Sequence, residues 1–485
     1  MRITTNREEY FYDFFQEIHP FIPNDEIKLA SPDDEFHKFE LVHYIDIEKD
    51  MVTNYVTISE FSNENGTKKK LHQSTLCRQD KLEIKDEKYI KRLAKLAIYK
   101  AMAEYLQVEM PWGALTGVRP TKMAIEYYEQ QQDLELVKEN LVNDYFLKPS
   151  KAELLTKILQ CQLPIEKDEN VVDFYVHIPF CTTRCSYCTF LSSEISKAQK
   201  FVQPYVDALI YELKCTKEML KRKNLKVKNV YVGGGTPTSL SANQLNLILN
   251  ELHFDDAKEF TVEAGRPDTI DKAKLDVLFE NGVNRISINP QTFNDVALKA
   301  IGRAHTSNDI IVAYELARKY PFLINMDLIA GLPNDDNLFV YSLDKAIALN
   351  PDNITVHTLS FKTKSPMTKL SDYQNTNNQN LIAQNVEMAE QKLMSAGYMP
   401  YYLYRQKNMV GNLENVGYCK DNKKCQFNIN SMEDFASVVA CGANAVSKRI
   451  FFDENRIERE GNAKDLITYI GRIDDMLEKK FKLFD

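Results

Sequence analysis

The sequence predicts an α/β fold, an open partial (β/α)6 TIM-like barrel with α+β regions on either side. Three observations lead there. Between about 170 and 360, six short apolar segments alternate with longer stretches of helical periodicity, the rhythm of parallel strands joined by crossover helices. Polar or glycine residues close each of the six segments, and the carboxyl-end rim is where parallel barrels build their sites. The chain also has 485 residues, more than one ordinary core accommodates. A doubly wound sheet would give the same rhythm.

The elements follow in order. Residues 1–165 read as a separate α+β domain of unassigned role. Phe39–Ile47 and Val52–Phe61 resemble paired strands, and helices are expected over Lys85–Tyr105, Thr121–Gln130 and Lys151–Gln160,. Between the first two helices lies PWGALTGVRPTK, which carries the lone tryptophan, Trp112. Its prolines and glycines mark an ordered loop, either packing one element on another or touching a ligand. The barrel is assigned to 166–365. Its strands are expected at Val171–His177, Asn229–Val232, Glu259–Glu263, Arg285–Ile288, Phe322–Ile329 and Asn353–Leu359. Helices are expected near Gln203–Leu220, Ala242–Leu252, Lys272–Glu280, Asn308–Lys319 and Leu338–Leu349. Residues 366–382 are rich in Asn, Gln, Ser and Thr and read as a linker,. The remainder of 366–485 reads as an α+β region closing over the site, with helices near Ala383–Ala396 and Ala463–Lys480.

Bulk properties narrow the function classes. A formal net charge of −8 provides no overall basic field for nucleic acid or anionic lipid,. The opening MRITTNREEYFYDFF holds no signal-peptide core,, and no run of about 18 apolar residues suggests a membrane span. The expected compartment is the cytoplasm. Nine cysteines, an odd number in a long chain, argue against a disulfide scaffold,.

Three of those cysteines carry the chemistry. In YVHIPFCTTRCSYCTF, Cys181, Cys185 and Cys188 follow the first strand with spacing Cys-x3-Cys-x2-Cys. A structural zinc site usually needs four ligands on two arms. Three thiolates on one short loop suit three corners of a cubane [4Fe–4S] cluster, leaving the fourth iron for a small chelating molecule. A zinc loop and inert thiols are the alternatives. Cys77, Cys161, Cys215 and Cys441 are not counted as ligands.

This spacing, with Tyr187 just before the third cysteine, resembles the signature of the radical S-adenosylmethionine (SAM) superfamily. The longer string resembles its oxygen-independent coproporphyrinogen III oxidase-like branch, through Tyr175, His177, Ile178, Pro179, Phe180 and Cys181 and through Gly-Gly-Gly-Thr-Pro-Thr at 233–238. The N-terminal region resembles the branch's variant with a long extension, described as a coproporphyrinogen dehydrogenase. The resemblance implies the radical SAM type of partial barrel, a [4Fe–4S] cluster and one or two molecules of SAM.

It also assigns roles. Gly234, Gly235 and Thr236 present backbone to SAM, since glycine lets a chain approach a ligand closely. Glu263 would bind the SAM ammonium or ribose, or else form a rim salt bridge. Gln291, Arg303 and Asp327 match polar positions near SAM. Arg303 could equally grip a substrate carboxylate or pair with Asp327. Tyr175 and Tyr187 would pack near cofactor and cluster, and Glu263 and Tyr175 are also the catalytic candidates. Val446 falls near a SAM-contacting position. His177 and His357 receive no catalytic role.

The implied reaction is oxidative decarboxylation of coproporphyrinogen III propionates to vinyl groups, giving protoporphyrinogen IX for heme biosynthesis. The partners are a porphyrinogen and a one-electron donor such as a flavodoxin or ferredoxin. Phe190 stands where the better-known oxidases have a further cysteine. Residues 425–432, CQFNINSM, lack the His-Asn-x-x-Tyr-Trp motif of related heme chaperones. A heme-trafficking protein on the same scaffold, or a radical SAM enzyme with another substrate, remain the alternatives.

Overall fold

The computed structural model describes every residue except 24–25, 32–36, 65–66, 82–85, 189–191, 336–337, 361–375 and 407–408. Phe190 and residues 366–375 of the expected linker therefore lie outside the described residues. The chain divides into two compact units, Met1–Thr156 with Gly411–Leu413, and Lys157–Val410 with Glu414–Asp485.

The first unit is built on a five-stranded sheet in the order β2 (Lys28–Leu29), β1 (Arg2–Thr5), β3 (Phe39–Glu48), β4 (Met51–Glu64), β5 (Thr67–Lys81). The strands β3, β4 and β5 form an antiparallel meander. Leu41, Ile45, Val52, Val56 and Ile58 alternate onto one buried face, the period-two pattern of a half-covered sheet. The strand β5 is absent from the sequence reading because its residues, TKKKLHQSTLCRQDK, carry no apolar alternation. It is an edge strand held by its backbone ladder to β4, and the face it half covers carries Ser74, Leu76, Arg78 and Asp80, only one of them apolar. A helix at Leu134–Tyr145 was also not anticipated. Asp133 caps it, accepting from the Glu135 and Leu136 amides at 2.9 and 3.3 Å,. The PWGALTGVRPTK loop is ordered by burial, with Trp112 completely enclosed.

In the second unit, six parallel strands stand next to one another in chain order: β6 (Val171–Ile178), β9 (Lys226–Gly234), β10 (Glu259–Glu263), β11 (Arg285–Ser287), β12 (Leu323–Ala330) and β13 (Asn353–Thr358). Two short pairing segments, β7 (Phe180–Cys181) and β8 (Ser193–Glu194), bracket the cysteine loop. Crossover helices cover Gln199–Arg222, Ala242–Leu249, Lys272–Glu280, Ser307–Ala317 and Phe339–Leu349. A further short helix, Asp295–Ala300, is capped by Asn294.

Strands from the C-terminal third extend this sheet at both edges. Antiparallel β15 (Asn415–Cys419) and β14 (Met399–Tyr404) continue from β13. At the other edge β16 (Ser437–Cys441) runs parallel to β6, followed by antiparallel β17 (Val446–Phe451) and β18 (Arg456–Gly461). The result is one eleven-stranded sheet. The terminal helix Ile473–Leu483 is tied to Gln199–Arg222 by a buried ion pair between Lys480 and Glu212. Among the described residues no helix is long and apolar enough to cross a membrane.

Candidate functional site

Residues largely alternate along the six parallel strands, with a bulge between β6 and β9 and with Ile329 as an apolar member of the inward set. One set is apolar and buried, including Val176, Val232, Val262, Ile286, Met326 and Val356. The other set is polar: Tyr231, Thr261, Ser287, Asn325 and Thr355 all face one cavity of about 540 Å³. Strands buried on both faces normally read as continuous apolar runs. Here the polar alternation gives the barrel a hydrophilic lumen. The floor is closed by residues 423–433. Arg285 donates to the Lys423 and Lys424 carbonyls at 3.1 and 3.0 Å. Glu259 accepts from the Gln426 amide at 2.9 Å, at the start of helix Gln426–Glu433.

Every site residue expected from the sequence lines this cavity except Tyr175 and Val446. The Tyr175 ring instead stacks on Tyr231 and Phe427, with centroids 6.3 and 6.1 Å away, and packs against Val438, Ala440 and Ala445. Val446 is half exposed and is not in the lining.

The glycine run places one rim loop against another. The Gly235 amide donates to the Ile178 carbonyl at 2.8 Å and the Thr236 amide to that of Phe180 at 2.7 Å. The Thr236 hydroxyl reaches the Cys181 Sγ at 3.6 Å. A Cβ on Gly235 would lie 2.4 Å from the Phe180 carbonyl oxygen, and backbone cannot yield as a flexible side chain can. Gly235→Ala is expected to destabilise the barrel unit by about 2 kcal/mol or more. Denaturant unfolding checks this, and a wild-type midpoint would contradict it.

Two carboxylates are driven in opposite directions. Burial pushes the Glu263 carboxyl up to about 7, opposed by the Tyr231 hydroxyl and helped by the charge of Asp327. Tyr231 donates to Glu263 at 2.6 Å. Burial also works against ionisation of Asp327, yet contacts from His357, Asn325 and Thr355 hold its carboxyl below the usual value. Asn325 donates to it at 2.8 Å, and the His357 Nε2 lies 3.7 Å away. Divergent carboxyls of this kind mark functional rims.

The Arg303–Asp327 ion pair weighed from the sequence is not formed. Arg303 spans three loops instead, donating to the Gly265 and Asn289 carbonyls, both at 3.1 Å, and to the Tyr187 hydroxyl at 3.0 Å. Those acceptors sit where its fork reaches without crossing the lumen. Gln291 adopts a left-handed φ of 67°. Its amide donates to the Asp327 carbonyl at 2.8 Å, and its carbonyl accepts from Ile329 at 2.9 Å. A strained non-glycine residue held this way at a rim is a common feature of binding sites.

Residues outside the sequence reading complete the wall. Tyr231 and Phe427 stack with centroids 4.5 Å apart, and Tyr404 lies within 3.3 Å of the His357 Nδ1. The Tyr231, Thr261, Ser287 and Thr355 positions were legible in principle from the polar alternation. Phe427 and Tyr404 come from distant elements and carried no such signal.

The parallel half-barrel with a three-cysteine loop at its carboxyl rim is the arrangement of a radical SAM enzyme, and the model of the radical SAM superfamily matches residues 175–340. The oxygen-independent coproporphyrinogen-III oxidase-like protein HemZ of Bacillus subtilis (strain 168) is 37% identical over 442 residues, covering 89% of this chain and 88% of that protein. The chain belongs to this coproporphyrinogen III oxidase-like family of radical SAM oxidoreductases. The heme chaperone HemW of Buchnera aphidicola subsp. Schizaphis graminum is also similar, at 29% identity over 61% of this chain and 76% of its own. A solved structure, coproporphyrinogen III oxidase (HemN) from Escherichia coli, aligns at 23% identity over 67% of this chain and 73% of its own, with a TM-score of 0.49.

Membership of the superfamily implies a [4Fe–4S] cluster and SAM, and the residues present fit both. Three thiols on one loop face the cavity. Among the described residues no three metal-binding side chains converge on one point, and a cubane, which takes each thiolate on a different iron, requires no such convergence. The buried side-chain oxygens of Asn289 and Gln291 lack hydrogen-bond partners, and such atoms call for a ligand.

Proposed function

We propose that this chain catalyses the oxygen-independent oxidative decarboxylation of coproporphyrinogen III propionates to vinyl groups, forming protoporphyrinogen IX. The observation that carries the reading is the convergence on one cavity of three thiols, a glycine-lined loop and two carboxylates of opposed proton affinity. The naming of the HemZ relative, similar along nearly its whole length, points to the porphyrinogen.

In this reading Cys181, Cys185 and Cys188 hold the cluster. Gly234, Gly235 and Thr236 offer backbone to SAM, and Glu263 takes a positively charged or hydroxyl group of it. Gln291, Arg303 and Asp327 serve the same SAM or a second one. When bound, the cluster and SAM would supply the one-electron chemistry needed to take hydrogen from a propionate. Tyr231 and Phe427 give the lumen an aromatic wall, and Arg285 with residues 423–427 excludes water from below. A flavodoxin or ferredoxin would provide the electron that opens each round, and a one-electron acceptor would take the electron released with carbon dioxide as each vinyl group forms.

The test is anaerobic incubation of reconstituted protein with SAM, a reductant and coproporphyrinogen III, followed by chromatography for vinyl products. Protoporphyrinogen formed with 5′-deoxyadenosine is the expected result. Abundant 5′-deoxyadenosine without vinyl product would rule out this substrate. Stoichiometric heme binding with no SAM cleavage would align the chain with its chaperone relatives.

A further inference from the structure

The loop between the first two cysteines is held by the loop that follows β10. Arg266 follows β10 and is almost completely buried. Its guanidinium forms a two-pronged pair with Asp268, Nε to Oδ1 at 2.9 Å and Nη2 to Oδ2 at 3.1 Å. The remaining prong, Nη1, donates to the Thr183 hydroxyl at 2.7 Å and to the Thr183 carbonyl at 3.2 Å. Asp268 in turn accepts from the Thr182 hydroxyl at 3.1 Å. One ion pair thus grips both residues that follow Cys181.

The turn after the helix Asp295–Ala300 holds the other side. The Thr183 hydroxyl donates to the Gly302 carbonyl at 2.9 Å, and the Ser186 amide to that of Ile301 at 3.1 Å. Gly302 has a φ of 78°, and a Cβ there would lie 3.2 Å from the Arg184 carbonyl oxygen, so the two loops touch backbone to backbone. A buried ion pair is weak support for stability, because desolvation offsets its attraction. What a forked guanidinium provides is direction.

We propose that Arg266, oriented by Asp268, is a positioning residue for the cysteine loop, acting through Thr182 and Thr183 to hold the three thiols in the arrangement a cluster requires. This rests on the reading that Cys181, Cys185 and Cys188 hold the cluster. Arg266 itself touches none of the reacting atoms in this role. The cysteine spacing decides which iron corners can be reached, and the clamp decides how rigidly.

The test compares wild type, Arg266→Lys and the double variant Thr182→Val/Thr183→Val after anaerobic reconstitution. The double variant keeps side-chain volume and leaves the Arg266–Asp268 pair in place, so it should fold even if Arg266→Lys does not. Iron content should approach that of wild type. Loss of iron to a chelator should be at least roughly tenfold faster, since the double variant removes three hydrogen bonds and one or two suffice for that factor,. The electron paramagnetic resonance signal of the reduced cluster should broaden, and its shift on adding SAM should shrink. Chelator loss and spectra identical to wild type in the double variant would overturn the proposal. Cys185→Ala serves as the control. If it retains iron, the cluster assignment fails; if it loses iron while the threonine variant matches wild type, only the positioning role fails.

Discussion

Cys185→Ala is expected to reduce the iron bound after reconstitution from about four per chain to background and to end SAM cleavage. Cys185 is the most enclosed of the three loop thiols, and its carbonyl accepts from the Cys188 amide at 3.2 Å. A cubane held at only two corners by one short loop exposes a second iron to solvent and chelators. The flanking clamps on Thr183 and Ser186 act through backbone and hydroxyl groups, so alanine leaves the loop's path intact. The apo-protein should melt as wild type does. Elemental iron analysis and the near-ultraviolet iron–sulfur absorbance check the first part, and 5′-deoxyadenosine release the second. Wild-type iron content in the variant would refute the cluster assignment.

Glu263→Gln should weaken SAM binding while stabilising the apo-protein above neutral pH. In the folded chain the carboxyl is raised from its ordinary 4.5 to about 7. A carboxyl raised on folding binds its proton more tightly in the folded state. Its effect on stability is therefore neutral below the unfolded value and becomes increasingly unfavourable as pH rises from 4.5 through 7,. Glutamine removes that term while keeping an oxygen for the Tyr231 hydroxyl. The variant should gain about 3 kcal/mol near pH 8, at about 1.4 kcal/mol per unit of pKa, and nothing near pH 4. Loss of a hydrogen bond between a charged carboxylate and a cationic ligand should lower SAM affinity by about tenfold to a hundredfold. Denaturation at the two pH values and calorimetric titration with SAM measure these separately. A variant less stable than wild type at pH 8, or one with unchanged affinity, would count against the site. In the wild type, SAM affinity should fall as pH drops below about 7, as Glu263 takes up its proton.

These expectations draw unequally on sequence and structure. Cys181, Cys185 and Cys188 announce themselves because three thiols within eight residues have few uses. Glu263 was legible from its place at a strand end. The opposed proton affinities of Glu263 and Asp327 were not, because they depend on Tyr231 and His357, which reach the rim from two other strands, and on Asn325 two residues before Asp327. Arg303 shows the same limit. Its residue type suggested a carboxylate partner, whereas the fold presents carbonyls of Gly265 and Asn289. The strand β5 is illegible for another reason: its half-covered face carries Ser74, Arg78 and Asp80 beside Leu76, so the period-two burial leaves no apolar alternation in the sequence.

The sequence by itself determined what is local. Strand and helix periods, the cysteine spacing, the glycine run and the polar alternation of the lumen each act over a few residues. Only the tertiary structure decided what joins distant segments: β16 beside β6, residues 423–433 under the barrel floor, and the Arg266–Asp268 grip on the cysteine loop. Such contacts depend on how the sheet twists and closes and on which loops then meet. No periodicity encodes that, because the partners lie tens to hundreds of residues apart and are selected by packing.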